Sequence, residues 1–292
     1  MPAYATKQRI KNAVYWSVGT VGASVGAGRR RTGLRVLLYH KVNALDDNPG
    51  SVPPALFADH IASLDGMGFQ VVGLEDVVAS FRRGLPLPPN ALLITFDDGY
   101  LDNLTSAAPI LARTGYPAVV FVSAGLVASG RSMPHDEELR VQNPLLDWAG
   151  LEAIERLGVR VESHGVDHIA LSRLSEGEAR RQIVESRRVL EERLGRPVAA
   201  YAFVKGSRGD QGPEHGAMLA AAGYQVAFTT VTGSNEPGTE PFSLRRYNVE
   251  PYPTRTLELV LRGACDAIAL KDTELGTSAR KAFNAVLRTA SR

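Results

Sequence analysis

ALLITFDDGY, residues 91–100, decides the fold. Leu92 to Phe96 are mostly bulky or β-branched apolar residues that run into two adjacent carboxylates, Asp97 and Asp98, and stop at Gly99. An uninterrupted apolar strand is buried on both faces, as in parallel sheets, and ligands bind at the carboxyl ends of such strands. Asp and Gly also dominate plain turns. A second cluster, ESHGVDH at 162–168, weighs against that reading. It follows another apolar run, Leu157 to Val161, and sets His164 and His168 four residues apart. Two histidines and a carboxylate are the protein ligands of a catalytic zinc with a position open for water.

Outward from these strands the chain alternates. RVLLY at 35–39 ends at His40, residues 55–67 have helical apolar spacing, and FQVVGL at 69–74 reads as a strand. Helices are expected over 75–81, 106–114, 149–157 and 174–194, with strands at 118–123, 199–204, 224–230 and 243–249. Strand alternating with helix implies a parallel sheet, and seven to eight strands imply an α/β fold of the distorted (β/α) barrel kind. Residues 124–144 break the rhythm and read as a long loop on the active edge, with His135 as a solvated side chain. His60 and His215 have no evident partners, and Cys265, the one cysteine, reads as a small buried apolar residue.

Charge divides the chain. Residues 1–36 hold seven bases and no acid, whereas the rest holds 26 bases and 31 acids, net −5. An acidic globular part argues against nucleic acid as partner. The boundaries expected are a basic amphipathic leader, 1–33, and a catalytic domain, 34–292, ending in a helical tail. In the leader Ile10, Val14, Val18, Val21 and Val25 recur at helical spacing, but the stretch is too rich in Gly and Ser for a membrane span. An interfacial helix with Tyr15 and Trp16 near the headgroups fits best, beside an export signal or an unstructured leader. The expected place is the cytoplasm, at the inner face of the membrane, with export left open.

LLYHKV at 37–42, ITFDDGY at 94–100, SHGVDH at 163–168 and AAGYQVAFTT followed by LRR together resemble the polysaccharide deacetylases of carbohydrate esterase family 4. The likeness runs from about Arg35 to about Pro253 and is nearest the bacterial exopolysaccharide branch, which includes poly-N-acetylglucosamine deacetylases. The resemblance implies a divalent metal, zinc by preference, on Asp98, His164 and His168. It implies Asp97 as general base and His40 as the acid that protonates the departing amine, since LELVLRGACD at 257–266 lacks the late Leu-x-His motif of other members. Tyr100, Lys205 and Arg245 are the expected substrate and oxyanion residues, with Arg245 or its neighbour Arg246 orienting the base. Where the family has a proline and an aromatic, this chain has Val204 and Lys205. That change bears on substrate class, and Lys205 could meet an anionic group. The expected activity is removal of N-acetyl groups from 2-acetamido sugars of a polysaccharide, oligosaccharide or lipid-linked glycan, releasing acetate. The alternative is an inactive relative that binds carbohydrate or serves as a scaffold.

Overall fold

The structure, a computed structural model, describes residues 2–25, 33–45, 48–127, 129–139 and 141–268. The expected C-terminal tail from residue 269, and the arginines at 29–31, lie outside the described residues. Eight strands are described: β1 (Arg35–Tyr39), β2 (Gln70–Val71), β3 (Ala91–Phe96), β4 (Ala118–Val122), β5 (Val159–Ser163), β6 (Ala200–Ala202), β7 (Val226–Phe228) and β8 (Tyr247–Asn248). Their order is β7-β6-β5-β4-β3-β1-β8, every pairing is parallel, and β2 joins the first half of β3 while β4 joins its second half. Residues 241–249 then lace β7 back to β8 and β1, through Ala227 N to Pro241 O (2.8 Å), Thr229 N to Leu244 O (2.8 Å) and Val249 N to Leu38 O (2.9 Å). The sheet thereby curls into a distorted (β/α) barrel, as the alternation predicted.

Side-chain parity divides the core in two. On β3, Leu92, Ile94 and Phe96 face an outer layer of helices, while Leu93 joins Val36, Phe121, Ala200 and Phe228 inside the barrel. A period of two does this on every strand. Burying each of these Leu, Ile or Phe side chains contributes about 1.5–3 kcal/mol. The helices between strands are α2 (Pro54–Ser63), α3 (Leu74–Arg83), α4 (Ala108–Thr114), α6 (Trp148–Arg156), α7 (Glu176–Leu194) and α8 (Pro213–Ala221). The α7 ends are local chemistry: Ser175 and Glu178 form a reciprocal capping box, and Gly195 closes the helix at φ +66°. Inside the presumed loop 124–144 lies a short helix, α5 (Pro134–Leu139), tied down by a buried Lys41–Asp136 ion pair at 3.1 Å. His60, buried, bonds Tyr39 Oη (3.2 Å) and Tyr252 O (2.9 Å), and His215 Nδ1 accepts from Gly212 N at the start of α8.

The leader is a helix, α1 (Pro2–Ser24), packed on α9 (Thr254–Leu261). Lys11 Nζ meets Glu250 Oε1 at 2.8 Å and Asn12 Nδ2 donates to Pro251 O at 3.1 Å. Tyr15 stacks obliquely on Tyr252 (5.7 Å between centroids) and the Arg255 guanidinium lies 4.2 Å from the Trp16 ring, so the two aromatics expected at a headgroup layer engage the barrel domain instead.

Gly99 follows the two aspartates with φ +72°, and a Cβ there would stand 2.7 Å from Val122 Cγ1. Gly99→Ala therefore combines backbone strain with a clash and should cost about 2 kcal/mol. A lowered urea midpoint at unchanged m-value checks this; an unaltered midpoint would mean the turn relaxes freely.

Candidate metal centre and active site

Asp97 continues the inward set of β3. Buried beneath the mouth of the barrel, its carboxylate takes two bonds from the Arg246 guanidinium, Nη1 to Oδ1 at 2.7 Å and Nη2 to Oδ2 at 2.8 Å. Arg246, fully buried, also donates through Nε to Thr229 O (2.8 Å) and lies over the Phe121 ring. Such a fork fits a carboxylate better than any other side chain can. Burial alone would push the Asp97 carboxyl up, but Arg246, then His164, hold it below the usual carboxylate range. Asp97 therefore stays ionised, as a base must. The expectation that Arg245 fills this role is corrected: Arg245 is exposed, because one step along the chain turns it out of the barrel.

Parity would send Asp98 to the opposite face from Asp97. A left-handed backbone at Asp98, φ +77°, breaks the pleat and keeps its carboxylate at the mouth. There Oδ1 lies 3.0 Å from His168 Nε2 and 3.6 Å from His164 Nε2. His164 is the inward residue that follows Glu162 at the end of β5; its N–H bonds Val122 O at 2.8 Å. His168 sits after a turn, itself at φ +55°, that Gln182 of α7 holds by accepting from Val166 N (2.8 Å) and Asp167 N (2.9 Å). In the same turn Asp167 is tied to Arg181 and Gln182, each at 2.6 Å.

The donor set fits a divalent ion. Asp98, His164 and His168 each offer a ligand atom, all within 4.8 Å of one another. His164 Nδ1 must donate to Ala202 O, 2.8 Å away, which leaves Nε2 with a free lone pair aimed at the cluster. Burial keeps the His164 imidazole neutral, the form that ligates. At His168 burial again lowers the imidazole pKa but is outweighed: the Asp98 charge and hydrogen bond hold it above the ordinary value. A cation would take the place of the imidazole proton.

His40, at the end of β1, is half-buried and close enough to lower the pKa of both Asp97 and Asp98. Its carbonyl accepts from Asn103 Nδ2 at 2.8 Å, which fixes the strand end. Lys205 is exposed at φ +63°, near enough to His168 to act on its charge, and its carbonyl accepts from Thr230 Oγ1. Tyr100 is fully buried; its hydroxyl meets His135 Nε2 at 2.9 Å and the Lys41 ammonium lies 5.0 Å from its ring. His135, expected to be a solvated side chain, instead approaches the cluster. Its Nε2 is 3.7 Å from Asp98 Oδ2, and its ring is 5.7 Å from that of His168. Proximity in the fold, through the Lys41–Asp136 anchor, carries no sequence signal at such separations. Alternation along LRRYN could have chosen Arg246 over Arg245.

Removing Arg246 strands a buried charge. Arg246→Ala should cost about 3–5 kcal/mol, and Arg246→Lys less because the charge persists without the fork. Denaturant unfolding of the two variants tests this; equal, small losses would show that water already reaches Asp97.

Known proteins resemble this chain in sequence and in fold. The model of the polysaccharide deacetylase family matches residues 85–232, about half of the chain and the stretch that carries both ligand motifs. A Bacillus subtilis (strain 168) protein, YxkH, assigned to the polysaccharide deacetylases, is 25% identical over 221 residues, 75% of this chain and 72% of its own. The poly-β-1,6-N-acetyl-D-glucosamine N-deacetylase of Escherichia coli (strain K12) is 32% identical over 117 residues, which is 39% of this chain and 17% of that protein. Among solved structures, the Streptococcus pyogenes deacetylase PplD superposes with a TM-score of 0.69 at 20% identity over 80% of this chain and 99% of that one. IcaB from Ammonifex degensii gives 0.68 at 24% over 80% and 98%. At those identities the superpositions speak for the shared barrel. The chain belongs to the polysaccharide deacetylase family.

Proposed function

We propose that this deacetylase removes N-acetyl groups from 2-acetamido sugars of a glycan, releasing acetate, with a divalent ion, zinc by preference, held by Asp98, His164 and His168. The observation that carries the reading is one ionised carboxylate, Asp97, clamped by Arg246 directly beside a three-donor cluster. When bound, such an ion lowers the pKa of water and polarises an amide carbonyl. The rest is the work of the chain. Asp97 takes the proton of the attacking water, and its bonds to Arg246 stop it from turning away. His40 faces the same two carboxylates from the end of β1 and gives a proton to the departing nitrogen, without which an amine leaves poorly. The Lys205 backbone N–H supports the developing oxyanion, while its exposed side chain suits a glycan that carries an anionic substituent. Burial of Asp97 and Asp98 strengthens every one of these charges, since water screens them little.

The glycan is, on this reading, a poly-N-acetylglucosamine or a related exopolysaccharide; similarity to the Escherichia coli enzyme supports it. Acetate release from N-acetylglucosamine oligomers by zinc-loaded protein tests the proposal. Asp97→Asn should lower kcat by about 10²–10⁴-fold with zinc content unchanged. His40→Ala should do the same, and retained turnover in that variant would remove His40 from the reaction. Absence of acetate from wild-type protein holding one zinc would favour a site that binds glycan without cleaving it.

A further inference from the structure

α1 is built inside out. At about 100° of rotation per residue, Lys11, Asn12, Tyr15, Gly19 and Gly22 share one face, and that face is the one docked on the barrel domain. Gly19 and Gly22 permit the close approach: a Cβ on the first would stand 2.9 Å from Cys265 Sγ, and on the second 2.1 Å from the Ala264 carbonyl oxygen. Polar and small residues have gone inward. The aliphatic residues have gone outward. Ile10, Val14, Val21 and Val25, with half-buried Val18 between them, fall within about 80° of arc, and the four are 60%, 48%, 63% and 76% exposed. A surface helix ordinarily buries such a stripe. Here docking leaves it free, and a continuous exposed aliphatic stripe marks a second contact surface.

Charge chooses the occupant. Residues 1–36 hold seven bases and no acid; Arg35 is buried in β1 and Lys11 is paired with Glu250, and the other five, Lys7, Arg9 and Arg29 to Arg31, flank the stripe in the sequence. The remainder of the chain is net negative. Against an anionic bilayer only this segment is attracted, and the rest is held off. A second copy would set base against base. No described helix is long and apolar enough to cross a membrane, so a helix lying in the surface is the arrangement left to it.

We propose that the stripe formed by Ile10, Val14 and Val21 of α1, continued by Val25 just past its end, seats in the headgroup region of an anionic bilayer, drawn there by the positive charge of the surrounding sequence, and that the polar face of the same helix fixes the deacetylase domain to the membrane. This inference does not depend on the proposed reaction. The test is co-sedimentation of the full chain with vesicles of phosphatidylglycerol and phosphatidylcholine in equal parts, against phosphatidylcholine alone. Wild-type protein should partition roughly tenfold or more better onto the anionic vesicles, and added salt should weaken it. Ile10→Asp with Val14→Asp and Val21→Asp should abolish partition. Val14→Ser with Val21→Ser should weaken it without a fold-disrupting charge, and circular dichroism and the thermal midpoint should match wild type in both. Equal partition of wild type and variants, or no wild-type partition onto anionic vesicles, overturns the proposal. So would a wild-type dimer, seen by light scattering, that the serine variant dissociates, since the stripe would then belong to a second copy.

Discussion

The pairing of Asp97 with Arg246 is the constraint on which the active edge depends. A carboxylate taken out of water on its own would accept a proton; a base must not. The guanidinium settles the matter by a two-bond fork, and it can reach Asp97 only because residues 241–249 return across the barrel mouth from β7 to β8. Closure of the sheet and ionisation of the base are therefore one event. Thr229 and Phe121 complete the seat of Arg246 from two further places in the sequence, so the pair reports on the integrity of the whole barrel.

The second constraint is backbone geometry. Among the described residues four non-glycines adopt positive φ: Asn90, Asp98, His168 and Lys205. Three of them stand at the site. Each such residue costs on the order of 1 kcal/mol or more and persists only where its surroundings over-determine it. At Asp98 the departure brings two adjacent carboxylates to one mouth, which regular strand geometry forbids. At His168 it folds the second imidazole back over Asp98, with Gln182 of α7 as the brace.

Much of this was legible in residue order. Apolar runs ending in acid or histidine marked β3 and β5, and their alternation with helices gave the barrel. Short strands were read too long, as at β8, where the expected seven residues reduce to Tyr247–Asn248, because tight curvature lets neighbours pair over only two or three residues. Ser175 and Gly195 bracketed α7 nearly as expected, since caps are local chemistry. What residue order could not show was contact between distant segments: His135 beside Asp98, Lys41 paired with Asp136, Gln182 under the histidine turn. α1 is the sharpest case. Its period showed an aliphatic stripe, but only its docking revealed that the stripe faces away from the protein.

On the proposed function, Asp98, His164 and His168 hold an ion without which Asp97 has no water acidic enough to deprotonate. The most direct measurement is acetate release by protein stripped with a strong chelator and then returned one equivalent of zinc. The stripped protein should release no acetate, with full recovery at one equivalent. Undiminished release from protein proven free of metal would contradict this reading.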